Sequence, residues 1–206
     1  MIKNVFTDLL SSYTNDNDLV EKLWLEIEIA YSGKKRHYHT LSHLENLLNQ
    51  LSVYKEQISD WDAMLFAVFY HDAVYNALKK DNEEKSAELA EKRMLAIPVP
   101  GNVIEKCKQL ILATKFHEES SDFDINVFTD ADLSVLGMDW NSYLNYCQQV
   151  RKEYSIFPDL IYNPGRKKAL NHFLEMERIF KTDAFYEKYE LNAKKNLTRE
   201  ISEILK

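Results

Sequence analysis

Apolar residues recur along this chain at intervals of three and four, the spacing that gathers them on one face of an α-helix. The spacing predicts helices over about residues 2–13, from a cap at Asp18 to about Ser32 with Gly33 as a stop, and over about Thr40–Tyr54. A fourth helix follows a Ser59-Asp60 cap and carries WDAMLFAVFYHDAVY. Asp81 opens a fifth, with Glu84 completing a capping-box-like pair, and Pro98 and Pro100 end it. A sixth covers about 101–116. Beyond the polar stretch HEESSDFDIN come a short helix over about 128–137, another from Asn141 to about Glu153, and a Pro-containing loop at Phe157–Pro164. Two long helices over about 165–180 and 184–205 finish the pattern, and no segment alternates convincingly as a strand does. The expectation is an all-α protein of roughly 8–10 helices in a single domain over 1–206, its core at about 19–137 with C-terminal helices at about 141–206 packed on it.

Composition agrees. With 206 residues, 45% of them hydrophobic, the chain can bury one substantial core, and four Gly and four Pro leave little turn chemistry for hairpins. A net charge of −7 argues against a general nucleic-acid binder, whose surface must be basic. Basic clusters at Lys34–Arg36, Lys79-Lys80 and Arg166–Lys168 read as solvated faces. The longest strongly apolar run, Ala63–Tyr70, is too short to cross a bilayer, and the N-terminus lacks the apolar region of a signal peptide. Cys107 and Cys147 read as buried thiols of a reducing compartment, so a cytoplasmic protein without membrane partners is expected. The 12 Tyr and 10 Phe fall mainly at helical core spacing and carry no inference of base stacking.

A few polar residues interrupt the apolar faces. His43 lies at the edge of the stripe Leu44, Leu47, Leu48, Leu51. Met64 and Val68 lead to His71, and Leu65 and Val68 share a row with Asp72. Asp132 stands among Phe128, Val135 and Leu136, and Val103, Cys107, Leu110 and Thr114 lead to His117. Singly, each has an ordinary reading, a histidine satisfied in the core or an aspartate capping a helix. Together, His43, His71, Asp72 and Asp132 offer two nitrogens and two oxygens to an interior where unpaired polar groups cost several kcal/mol. A divalent cation is the simplest compensation; mixed N/O ligation suits Mn, Fe, Co, Ni or Zn, with Mg also admitted, better than Ca.

The segments RHYHTLSHLENLL, FAVFYHDAVY, DNEEKSAELA, LILATKFH and TDADLSVLG, in that order, resemble the HD-domain superfamily, and within it a bacterial group of predicted metal-dependent phosphohydrolases. The resemblance extends to VRKEY at 150–154, the Gly165-Arg166 pair and an ARxN-like stretch at Ala193–Asn196, and so covers most of the chain. It implies a single HD-type helical domain in which His43 is the first ligand, His71 and Asp72 the central pair, and Asp132, followed by Leu133, the last. Asp130 then orients a neighbour or caps a helix. One divalent metal is implied, with His39 and His117 as the nearby residues for a second.

The expected activity is hydrolysis of a small phosphoester, a nucleotide or nucleotide-like metabolite, by metal-activated water, with Asp72 both ligating and orienting it. Glu83 and Glu84 match a family segment near the site and are expected as general acid or base. Arg36 and His39 are candidates to grip phosphate, as are Lys115, His117 and, more weakly, Arg166. Two other classes compete: an HD-type di-iron oxygenase, which needs extra histidines, and a non-catalytic, metal-stabilised module that binds a nucleotide or metabolite. The apolar stripe from Phe173 to Leu205 packs on the core or forms a homodimer.

Overall fold

In the computed structural model, residues 2–204 are described, and all regular structure among them is helical. The order is α1 (Ile2–Ser11), α2 (Asn17–Tyr31), α3 (Leu41–Ser52), α4 (Trp61–Tyr70), α5 (Asn82–Met94), α6 (Gly101–Ala113), α7 (Phe123–Leu133), a 3-10 turn (Ser134–Gly137), α8 (Trp140–Glu153), α9 (Asp159–Glu175) and α10 (Asp183–Ile204). The all-α expectation stands. Contacts cluster into two compact units that divide between Thr129 and Asp130, inside α7.

In the first unit α4 is the central element. Every residue from Ala63 to Tyr70 is buried, and α1, α3, α5 and α6 pack around it. A helix apolar on all sides has no solvent face to offer, so it sits in the middle of its neighbours. Phe6 of α1 meets Phe69 edge-on at 4.7 Å between ring centroids and Trp24 of α2 at 5.9 Å. Buried Asp124 ties the loop before α4 to α7, accepting from the Ser59 amide at 3.0 Å and hydroxyl at 2.5 Å, with Lys106 paired 3.2 Å away. Burial alone would raise its carboxyl, but the Ser59 donors and Lys106 hold it below the usual aspartate value.

In the second unit α10 packs on α9 and on the 3-10 turn. Gly137 makes that packing close: a Cβ there would lie 2.5 Å from the Tyr189 Cβ and 2.6 Å from its carbonyl oxygen. Asn196 of the ARxN-like stretch donates to the carbonyls of Leu136 (2.8 Å) and Met138 (2.9 Å), groups the ending helix leaves unpaired.

Several boundaries differ from the sequence pattern. The cap of α2 is Asp16, whose side chain accepts from Leu19, and not Asp18. Asp81 precedes α5 without a side-chain cap bond, so no capping box forms with Glu84. α7 begins at Phe123, well before the expected 128, because the polar residues that mask its start are tied down: Asp124 by the distant Ser59, Asn126 by the nearby Ser120. The expected loop at 157–164 is instead the start of α9, with Pro164 at its sixth position. Pro164 cannot donate to the Leu160 carbonyl, but Leu160 is 90% exposed, so water can serve that oxygen. The expected end of the last helix at 205 lies outside the described residues.

Candidate metal centre

His43 is carried in the first turn of α3, where Leu44, Leu47 and Leu51 pull that face inward and bury the imidazole with them. His71 is the residue that ends α4. The helix was expected to run through HDAVY, but it stops at Tyr70, and only the His71 amide continues the ladder, donating to Ala67. Asp72 therefore lies on a turn, and its carboxylate is directed by that turn rather than by a helical face.

The Nδ1 atom of His71 is 3.0 Å from the Val68 carbonyl, which can only accept. Nδ1 thus bears a hydrogen, which leaves Nε2 as the ring atom able to ligate a cation. That Nε2 is 3.1 Å from Nε2 of His43 and 3.2 Å from Oδ2 of Asp72, while His43 Nε2 and Asp72 Oδ2 are 4.0 Å apart. Two imidazole nitrogens and a carboxylate oxygen gathered this closely are a donor set of the kind that suits a divalent cation.

The edge of Phe128 packs against His71 at 5.8 Å between ring centroids, and Asp132 lies one turn further along α7. His43, His71 and Asp132 each present a ligand atom, all within 4.8 Å of one another, with both histidines buried and the aspartate half-buried. This group can hold a metal ion. Asp132 sits in the last turn of its helix, and not near a helix start as the pattern suggested.

Among the helper candidates, His39 is at the cluster, its Nε2 3.7 Å from Asp72 Oδ2 and its ring 4.5 Å from that of Tyr75. Glu83, in the first turn of α5, is half-buried; burial, aided by the Asp72 charge, raises its carboxyl above the ordinary glutamate value. Glu84 behaves oppositely. It forms an ion pair with Lys115, which holds its carboxyl down, and Lys115 also donates to the Lys80 carbonyl at 3.0 Å. Its other oxygen, Oε2, is enclosed and accepts no hydrogen bond from the described residues. His117 ends the α6 segment with φ of 53°, a left-handed conformation that histidine tolerates better than most residues.

Two expected phosphate contacts have other tasks. Arg166 is half-buried within the second unit, its fork bonded to Glu200 at 2.8 and 3.0 Å and Nη1 to the Tyr146 hydroxyl at 3.3 Å. Tyr143 and Cys147 also donate to Glu200, so the Arg166 guanidinium is committed to a side-chain network of its own unit. Cys147 is thus half-buried, and burial followed by the Glu200 charge pushes its thiol up to about 12. Arg36 is bonded to the backbone of Asp72, Ala73 and His39. Asp130, the orienting residue, receives the amides of Lys181 (2.8 Å) and Thr182 (2.7 Å), fixing the approach to α10.

Sequence reasoning missed Tyr31, Tyr75 and Ser86, which surround the Asp72 turn. Nothing in their spacing marks them: Tyr31 arrives from α2, Ser86 from α5, and Tyr75 from the chain just after Asp72. Compared with protein-family models, curated proteins and solved structures, the chain gives no match. No helix among the described residues is long and apolar enough to cross a membrane.

Proposed function

We propose that this chain is a metal-dependent phosphohydrolase acting on a small phosphoester of nucleotide-like chemistry. The observation that carries the reading is the convergence of His43, His71 and Asp132 on one point, with the His71 tautomer set for ligation by Val68. Those three residues would hold the ion, with the Asp72 carboxylate beside them. When bound, a divalent ion there supplies acidified water and neutralises charge building on the phosphoryl oxygens.

The protein's own groups have separable tasks. Asp72 orients the attacking water, whose oxygen forms a bond to phosphorus as the ester P–O bond breaks. Glu83 delivers a proton to the departing oxygen, a task suited to a carboxyl whose burial favours its acid form. His39, 3.7 Å from Asp72 Oδ2, donates to a phosphoryl oxygen. Lys115 acts through Glu84, keeping that carboxylate charged and in place.

The test is metal content by mass spectrometry of untagged protein prepared without chelator, beside His43→Ala and Asp72→Ala, followed by a metal-supplemented panel of nucleoside monophosphates and p-nitrophenyl phosphate. About one metal per chain in the parent, lost in His43→Ala, with turnover abolished by Asp72→Ala at unchanged helical content, is the expected result. Two irons and oxygen-dependent turnover would move the protein to the oxygenase class. A loaded protein that turns over no phosphoester would favour a binding module.

A further inference from the structure

We propose that Arg36 is a positioning residue of the metal centre, a brace that locks the turn carrying Asp72 to the segment carrying His39 and His43. The proposal rests on the metal-dependent reading above. Its basis is the set of bonds around one guanidinium. Nη2 donates to the carbonyls of Asp72 (2.7 Å) and Ala73 (3.2 Å), and Nη1 lies 3.4 Å from the carbonyl of His39. The guanidinium carbon stands 5.1 Å from the ring centroid of Tyr31 and 5.0 Å from that of Tyr75, so aromatic faces fix it from two directions.

The location explains why a cation is needed. α4 ends at Tyr70, and carbonyls at a helix C-terminus have no partner in the helix and carry the negative end of its dipole. The turn that follows is fastened group by group. The Asp72 amide donates to the Tyr31 hydroxyl at 3.2 Å, the Ala73 amide to the Tyr70 carbonyl at 3.0 Å, and the Val74 amide to Ser86 Oγ at 3.1 Å. The Ser86 hydroxyl lies 3.3 Å from the Val74 carbonyl, and Arg36 takes the two carbonyls between. A turn bonded at every position has no low-cost alternative conformation, and this one sets Asp72 Oδ2 3.2 Å from His71 Nε2.

Arg36 differs from Tyr31 and Ser86 in also bonding His39, and so couples two ligand-bearing segments. Only a planar fork reaches such separated acceptors at once; a lysine ammonium is a single point. Gripping phosphate with the same guanidinium would leave the Asp72 and Ala73 carbonyls without their donor. The two roles therefore predict different measurements.

The experiment compares the full-length parent with Arg36→Gln and Arg36→Lys, each checked for helical content. Zinc affinity is read by competition with a chelating indicator, inorganic phosphate affinity at saturating zinc, and amide hydrogen exchange over Asp72–Val74 without metal. The brace predicts zinc affinity lower by about 10–100-fold in Arg36→Gln, as for other residues that orient ligands. A smaller loss is expected in Arg36→Lys, with phosphate affinity unchanged and exchange over Asp72–Val74 faster in both variants. Zinc affinity equal to the parent's overturns the proposal, and does so in favour of a phosphate grip if phosphate affinity falls instead. A parent that binds no zinc moves the affinity comparison to manganese and iron(II), and binding none of the three refutes the metal reading; exchange then still decides the brace, which falls if Asp72–Val74 in the variants exchange at the parental rate. If Arg36→Gln does not fold, Arg36→Lys alone carries each comparison.

Discussion

The Nε2 atoms of His43 and His71 face each other at 3.1 Å, although they come from α3 and from the end of α4. Nδ1 of His71 is committed to the Val68 carbonyl, so Nε2 is the atom that this ring can offer a cation. Without a cation, one of the two rings must supply the hydrogen between these nitrogens. With a cation, both nitrogens donate to it, which makes the pair a sensitive place to test the centre.

On the proposed metal-dependent reading, replacing either histidine removes a ligand and not merely a neighbour of one. His43→Ala and His71→Ala should each lose more zinc affinity than the about 10–100-fold typical of residues that only orient ligands. Zinc titration against a competing chelator measures this, and parental affinity in both variants would place the metal elsewhere.

The adjacent glutamates should separate. Glu83, whose carboxyl is raised by burial, is expected to lose about 10²–10⁴-fold in kcat as Glu83→Gln, while Glu84→Gln changes turnover far less. Steady-state kinetics on a hydrolysed phosphoester decides between them. Equal losses would contradict the division of roles.

Gly137→Ala should destabilise the second unit, because the added methyl would meet the backbone of Tyr189 and not a flexible chain end. Overpacking of this kind costs about 1–3 kcal/mol. The loss is visible as a lower midpoint in urea, and an unchanged midpoint would mean that α10 shifts freely.

The Arg166–Glu200 pair should matter more when half-broken than when replaced. Arg166→Met strands a buried carboxylate at a cost of about 3–5 kcal/mol, and a double replacement by apolar residues should recover much of it. Burial pushes the Glu200 carboxyl up, but Arg166, Tyr143 and Cys147 together hold it below its ordinary 4.5. The folded state then binds fewer protons than the unfolded one across that interval. The stabilisation is present above 4.5 and fades as pH falls through the lowered folded value. Acid unfolding of Glu200→Gln should show a shallower pH dependence in that window than the parent.

Much of this was legible in the chain. The apolar stripes of α3 and α4 marked His43 and His71 as inward-facing, since helical periodicity is a local property that survives whatever the helix packs against. The start of α7 and the first turns of α9 were hidden. Asp124 and Asn126 look like loop residues until Ser59 and Ser120 are seen to engage them, and Pro164 looks like a breaker until Leu160, one turn before it, is seen to be exposed. Arg36 and Arg166 looked alike as phosphate ligands, because charge and residue type do not say which acceptor a long side chain will find.

The sequence by itself determined an all-helical fold and the residues able to bind a cation, because the period of 3.6 and the chemistry of imidazole and carboxylate need only neighbours along the chain. The tertiary structure decided that α4 stops before Asp72, that Arg36 holds the turn and that Glu84 belongs to Lys115. Each of these rests on hydrogen bonds between residues about 30 or more positions apart, and such partners are chosen by packing, which no local spacing encodes.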